Sequence, residues 1–151
     1  INLKFDLKKD VNKNQNLPWV GAVNPLIHFC GKGNLLIIRI LFLIGADCTQ
    51  LCKYYNCCPM SMAARGGHLD ICKWLFEYGG DAKYQINKET SDGCTPLSES
   101  YTAWHHGLDK EGKTCRWLLL NGGGQHLSNK AMRRFAIYGE EEWNSNLLVL
   151  W

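Results

Sequence analysis

The chain repeats itself with a period of 34 residues, and this repetition limits its possible folds more than any other feature. Residues 24–47 align without a gap with residues 58–81. The alignment superimposes four pairs of residues: Pro25 on Pro59, Gly33 on Gly67, Gly45 on Gly79 and Asp47 on Asp81. A third copy begins at Cys94 and ends at Gly124, with additional residues in its middle. A fixed period of this length predicts a stack of similar supersecondary units.

The second copy indicates how each unit should fold. Pro59 stands where a helix would begin, and its missing N–H costs little in the first helical turn. Small and apolar residues follow as far as Gly66–Gly67, a pair that disfavours helix and permits a tight turn. From Leu69 to Tyr78 the apolar residues recur at the spacing of one helix face, and Gly79–Gly80 ends that helix. Each unit is therefore predicted to be a helix, a tight turn, a second helix and a long loop.

This pattern resembles the ankyrin repeat, whose units of about 33 residues carry a T-P-L-H-x-A signature. The second copy matches best, through Ala63-Ala64-Arg65, Gly67-His68 and the terminal Gly-x-Asp. The first copy has Phe29-Cys30, and the third has Ser100-Tyr101, where the family has small residues. The resemblance implies an all-α solenoid of helix-turn-helix units joined by long loops and β-turns. Its repeats are expected at about residues 19–52, 53–88 and 89–124.

The two ends of the chain lack the signature, as the caps of a solenoid do. Residues 1–18 are rich in Lys, Asn and Asp and are expected to form a polar segment or cap. Residues 125–151 are expected to form a capping helix and a tail. Ser128 is predicted to be the N-cap of that helix and Gly139 its stop, with Met132, Phe135 and Ala136 as its apolar stripe.

Composition and the absence of catalytic motifs argue against several classes of function. The chain has a formal net charge of +3, with 46% apolar and 21% charged residues, which argues against a disordered chain and a dedicated nucleic-acid binder. Its longest apolar run, residues 35–44 interrupted by Arg39, is shorter than the roughly 20 residues that span a membrane. The sequence contains no serine-hydrolase elbow, Walker loop or H-E-x-x-H motif. We expect a non-enzymatic monomer without cofactor, nucleic-acid or membrane partner.

The eight cysteines leave an alternative open. Cys30, Cys72 and Cys115 fall within apolar helical patterns, which favours free thiols in a reducing intracellular compartment, cytoplasmic or nuclear. Another four cluster within eleven residues: Cys48, Cys52, Cys57 and Cys58. Thiolates bind zinc, but the spacing C-x₃-C-x₄-C-C is not a common zinc pattern, and no C-x-x-C redox motif occurs. A metal- or redox-responsive module built on this cluster is the alternative function.

The resemblance implies a protein partner, bound through the loop tips and the first helices. Aromatic and Arg side chains at such positions are favoured interface anchors. The candidate partner-binding residues are Lys32, Tyr54, Tyr55, Arg65, Ser91, Asp92, Trp104 and His105. For the two tyrosines, a loop tip lying flat on its own repeat is the alternative interpretation. For Trp104, which belongs to the insertion at residues 102–113, the alternative is packing on the helix beneath it.

Overall fold

A computed structural model of the chain describes residues 15–17, 21–53, 55–125, 128–131 and 133. Two short strands come first, β1 (Gln15–Leu17) and β2 (Gly21–Val23), paired antiparallel with Asn16 opposite Ala22. Six α-helices follow between residues 24 and 125: α1 (Pro25–Lys32), α2 (Leu35–Leu43), α3 (Pro59–Arg65), α4 (Leu69–Tyr78), α5 (Pro96–His105) and α6 (Lys113–Leu120). A 3₁₀ helix, Gly80–Gln85, extends the second unit beyond α4. The α4 bounds are those that the sequence pattern predicts.

The first helix of each unit begins in the same way, with a polar cap followed by proline. The Asn24 side chain accepts a hydrogen bond from the Ile27 N–H at 2.8 Å and so caps α1. The Cys58 sulfur takes the same role for α3, accepting from the Ser61 N–H at 3.4 Å. Thr95 caps α5 in a reciprocal capping box with Ser98. Each cap satisfies a backbone donor that the helix itself leaves unpaired, which fixes where the helix starts.

The helices stack in two rows, as the ankyrin resemblance implies. The first helices α1, α3 and α5 pack directly against one another in sequence order and form the inner row. The second helices form the outer row, and each packs against the first helix of its own unit. Fully buried side chains join the units into one continuous core: Leu26, Cys30, Ile38, Met60, Ile71, Leu75, Cys115 and Leu118 among them. The predicted helical solenoid is confirmed, with the β1–β2 ribbon as an addition to the all-α expectation.

Aromatic pairs join the outer helices at equivalent positions. Phe42 of α2 meets Trp74 of α4 edge to face, with ring centroids 5.4 Å apart. Phe76 of α4 meets Trp117 of α6 in the same geometry at 5.5 Å. The 34-residue period places Ile40 at the position of Trp74 in the first unit, and Ile40 is 50% exposed. The outer row is thus held by one repeated contact between neighbouring units.

The turns of the first and second units are each covered by the unit that follows. At the first junction the His68 imidazole lies over Gly33, and its Nε2 is 3.1 Å from the Gly31 carbonyl oxygen. At the second junction the backbone of Leu108 and the Cβ of Asp109 lie over Gly67, at 3.2 Å from where a Cβ would stand. His68 is therefore a structural residue, and the inserted segment of the third unit closes the second junction.

The capping segment after the third unit begins as predicted at Ser128. The Ser128 hydroxyl oxygen accepts the Ala131 N–H at 3.1 Å, which is N-cap geometry, and Ala131 is buried. The predicted apolar stripe at residues 132, 135 and 136 and the stop at Gly139 lie outside the described residues. None of the helices in the described ranges is long and apolar enough to cross a membrane.

Candidate partner-binding surface

The loop tips of the second and third units lie side by side. The Ser91 N–H donates a hydrogen bond to the Tyr55 carbonyl oxygen at 2.8 Å, so the two tips are joined through their backbones. The Tyr55 side chain is 58% exposed, and Ser91 and Asp92 are also exposed. Tyr54 lies outside the described residues. The structure therefore brings three of the candidate residues together at one edge of the solenoid.

The tip of the third unit is a tightly bonded turn. The Thr90 N–H donates to the Cys94 carbonyl oxygen at 2.8 Å, and the Cys94 N–H donates to the Thr90 hydroxyl at 2.9 Å. Gly93 has a φ of +85°, a conformation that side chains rarely adopt. These bonds hold Ser91 and Asp92 at the exposed apex of the turn, and the Asp92 carboxylate accepts a hydrogen bond from the Thr90 hydroxyl.

The capping segment extends this row of tips by one more step. The Lys130 ammonium donates to the Ser91 carbonyl oxygen, and the Lys130 backbone covers Gly93. The Ser128 N–H donates to a Glu89 carboxylate oxygen at 2.7 Å. Hydrogen bonds from Ser128 hold the pKa of the Glu89 carboxyl below its usual value. Lys130 lies at the end of this row of tips and was not among the candidate residues. The sequence signal that could have placed Lys130 there is its position two residues after the Ser128 N-cap.

A second group of candidates lies on the first helices. The Arg65 guanidinium at the end of α3 is 3.9 Å from a Glu99 carboxylate oxygen of α5, and the Arg65 side chain is 66% exposed. Lys32 is exposed at the end of α1, one unit further back. Glu99 was not among the sequence candidates because the pattern marks helix positions without showing which positions of adjacent helices meet. Each of the three first helices therefore contributes a charged side chain to this second group.

Trp104 and His105 behave differently from each other at the end of α5. The Trp104 ring is half-buried, packs edge to face on Tyr101 at 6.0 Å and lies over Gly112. His105 is exposed, with its ring 5.5 Å from that of His106. The packing alternative for Trp104 therefore has direct contacts in its favour, whereas His105 is open to solvent.

The cysteines are all free thiols, and most are buried. Cys30 lies close enough to Cys48, Cys58 and Cys72 for electrostatic interaction, and burial raises the pKa of all four thiols. For Cys48 the raised pKa is about 12. In the part of the chain that the structure describes, no group of three His, Cys, Asp or Glu side chains is arranged to hold a metal ion. These thiols pack as small apolar side chains.

A model of a known protein family matches the chain, in agreement with this geometry. No curated protein matches the chain. The family model described as ankyrin repeats (3 copies) matches residues 3–88 and again residues 26–131, which together cover most of the chain. Ankyrin repeats are generally protein–protein interaction modules. With the helix pairs stacked at the predicted period, the chain belongs to the ankyrin-repeat family.

Proposed function

We propose that the chain is a non-catalytic module that binds a protein partner along its row of loop tips and the adjoining faces of its first helices. The observation that carries this proposal is the continuity of the row. Tyr55, Ser91 and Lys130, from three successive segments, are linked by hydrogen bonds to main-chain oxygens. A partner can therefore contact several units at once on a preorganised surface, which reduces the entropy lost on binding.

The side chains along this surface suit protein recognition. Tyr55 offers a large amphipathic ring at the tip, and aromatic residues and Arg dominate binding hot spots. The ion pair between the exposed Arg65 and the largely covered Glu99 is long, at 3.9 Å, and so contributes little to stability. Arg65 can therefore turn to a carboxylate of the partner at little cost. Lys32 and His105 flank this region, and Asp92 supplies a negative group at the tips.

Composition supports the narrower parts of the proposal. A net charge of +3 gives weak electrostatic attraction to nucleic acid, whose binding depends on neutralising many phosphates. Free thiols at all eight cysteines suit a reducing intracellular compartment. We propose that the chain acts there as a monomer and needs no cofactor.

Affinity capture with two matched double variants tests the proposed surface. Tyr55→Ala with Arg65→Ala removes an aromatic ring and a cation from it. Tyr78→Ala with Arg116→Ala removes the same groups from exposed positions on the outer helices. We expect a captured protein to bind the second variant as it binds the wild type, and to bind the first at least 30-fold more weakly, which is the loss of about 2 kcal/mol.

Circular dichroism of both variants must first show native helix content. A partner that is lost equally from both variants, or that is lost only from the outer-helix variant, would contradict the proposed surface. Isothermal titration calorimetry with the purified partner supplies the affinities for this comparison.

A further inference from the structure

Two cysteines bracket the loop tip of the second unit and touch each other. The Cys52 N–H donates to the Cys57 carbonyl oxygen at 2.9 Å, and the Asn56 N–H donates to the Cys52 carbonyl oxygen at 3.2 Å. The Cys57 N–H also donates to the Cys52 sulfur at 3.3 Å, and the two sulfur atoms are 2.7 Å apart. Asn56 closes the turn with a φ of +51°, which Asn tolerates better than most residues. The backbone therefore holds these two thiols in contact in the reduced chain.

The two thiols differ in their access to solvent. Cys52 is 3% exposed and packs with Ile27 and Met62 beneath the loop. Cys57 is only partly buried. A small reagent dissolved in water therefore reaches Cys57 first, while Cys52 stays behind it within contact distance.

We propose that Cys52 and Cys57 form a reversible disulfide by exchange with a small-molecule disulfide such as oxidised glutathione. The Cys57 thiolate attacks one glutathione sulfur, breaks the glutathione disulfide and releases one glutathione thiolate. The Cys52 thiolate then attacks the Cys57 sulfur, breaks the mixed disulfide and releases the second glutathione. The two cysteines are oxidised by two electrons, one glutathione disulfide is reduced to two thiols, and the two cysteine protons pass to those thiols.

The first of these steps is slow and the second is fast. Burial, together with the hydrogen bond to Cys52, raises the pKa of the Cys57 thiol, so little thiolate is present at neutral pH. The second step is intramolecular between groups already in contact, which favours ring closure over a lasting mixed disulfide. The pair therefore responds to a sustained oxidising condition rather than to a brief pulse.

Oxidation would fix the loop that presents Tyr55. The disulfide closes a ring over residues 52–57, and the Tyr55 carbonyl oxygen already accepts the Ser91 N–H from the next tip. A covalent ring restricts the tip further and changes the affinity of this surface for its partner. This consequence rests on the proposed function, whereas the disulfide itself does not.

Peptide mapping of the folded chain tests the disulfide directly. Trypsin cuts after Arg39, Lys53 and Arg65, so the proposed bond joins the peptide of residues 40–53 to that of residues 54–65. The chain is held for hours with excess oxidised glutathione, its remaining thiols are alkylated, and the digest is examined by tandem mass spectrometry. We expect the two peptides joined, two hydrogens lighter than their sum, and separated by a reductant. Alkyl groups are expected on Cys48 and Cys58.

Two serine variants complete the test. Cys57→Ser is expected to abolish the joined peptides, and Cys48→Ser, which changes the other cysteine of the first peptide, is expected to retain them. A wild-type chain that stays folded by circular dichroism and yields no joined peptides would overturn the proposal, as would joined peptides that persist in Cys57→Ser. The mapping needs no partner, so its failure is distinct from failure of the proposed function. Equal partner affinity of the oxidised and reduced chains would refute only the effect on binding.

Discussion

The two junctions between units bury the same kind of turn by different means. At the first junction a side chain, His68, covers Gly33 and bonds to the carbonyl oxygen of Gly31. At the second junction main-chain atoms of Leu108 and the Cβ of Asp109 cover Gly67. The insertion in the third unit thus takes over a role that one histidine fills in the second. A repeat can accept additional residues when they rebuild the contact that its neighbour requires.

The buried polar groups of the two junctions also differ. Cys30, Cys58 and Cys72 fill the first junction as neutral thiols. The third unit instead buries the hydroxyls of Thr95, Ser98, Ser100 and Thr114. Burying a hydroxyl is costly unless it is hydrogen-bonded: Ser100 donates to the Leu97 carbonyl oxygen at 2.7 Å, whereas the buried Thr114 Oγ1 has no hydrogen-bond partner among the described residues. Thiols pack without that requirement, but they make the first junction sensitive to alkaline pH.

Alkaline pH should therefore destabilise the chain, chiefly through the first junction. The folded state keeps its buried thiols protonated, whereas in the unfolded chain they ionise from about pH 8.5. The unfolded state then binds fewer protons, so the free energy of unfolding falls as pH rises towards the folded pKa, which is about 12 for Cys48. Between pH 7.5 and 9.5 a thiol that ionises at about pH 8.5 in the unfolded chain alone costs about 1.4 kcal/mol, so Cys30, Cys48 and Cys72 together cost about 4 kcal/mol. Cys58, whose pKa burial also raises, adds to this loss.

Urea unfolding under reducing conditions at several pH values measures this loss. Cys115, a buried thiol of the third unit, has a pKa raised to about 11 by burial and should add about 1.4 kcal/mol by the same mechanism. Cys48→Ala should remove about 1.4 kcal/mol of the loss assigned to the first junction. A free energy of unfolding that is constant from pH 7.5 to 9.5 would show that these thiols ionise equally in the folded state.

Alanine substitutions distinguish a glycine turn that is covered by a side chain from one that is covered by main-chain atoms. Gly33→Ala should destabilise the chain by about 3 kcal/mol, because Gly33 has a φ of +81° and a Cβ there would be 2.5 Å from the His68 ring. In a His68→Ala background the clash disappears, and the same change should cost only about 1 kcal/mol. Thermal or urea unfolding of the four chains gives the coupling energy.

The matched cycle at the second junction should show no such relief. Gly67 has a φ of +72°, and a Cβ there would meet the Leu108 carbonyl and the Asp109 Cβ at 3.2 Å. Asp109→Ala keeps both groups, so Gly67→Ala and Asp109→Ala should be additive within about 0.5 kcal/mol. A coupling energy as large as that between Gly33 and His68 would mean that Gly67, like Gly33, is covered by a side chain that can be removed.

The sequence was sufficient for the fold because the period, the prolines and the glycine turns are local signals. Pro25, Pro59 and Pro96 mark the three first helices, and each begins at its proline. The site was predictable only as a set of exposed positions. The contact of Tyr55 with Ser91 and that of Arg65 with Glu99 depend on how successive units are superposed. No local pattern encodes that superposition, and the same holds for the two sulfurs of Cys52 and Cys57.

The smallest expected effect concerns the start of the second helix, where the two units again differ. The Asp109 carboxylate accepts the N–H groups of Lys113 at 3.2 Å and Thr114 at 2.8 Å, so the insertion caps α6, whereas the His68 side chain makes no cap bond to α4. Asp109→Ala should cost about 1 kcal/mol, and Asp109→Asn, which keeps an acceptor, should cost less. Amide hydrogen exchange locates the effect: exchange at Lys113 and Thr114 should accelerate in Asp109→Ala. In His68→Ala, exchange in the first turn of α4 should change no more than elsewhere in that helix. Equal acceleration of amide exchange at the starts of α4 and α6 would mean that the insertion only covers the turn at Gly67. Capping of α6 by Asp109 would then play no part in how the third unit accepts its additional residues.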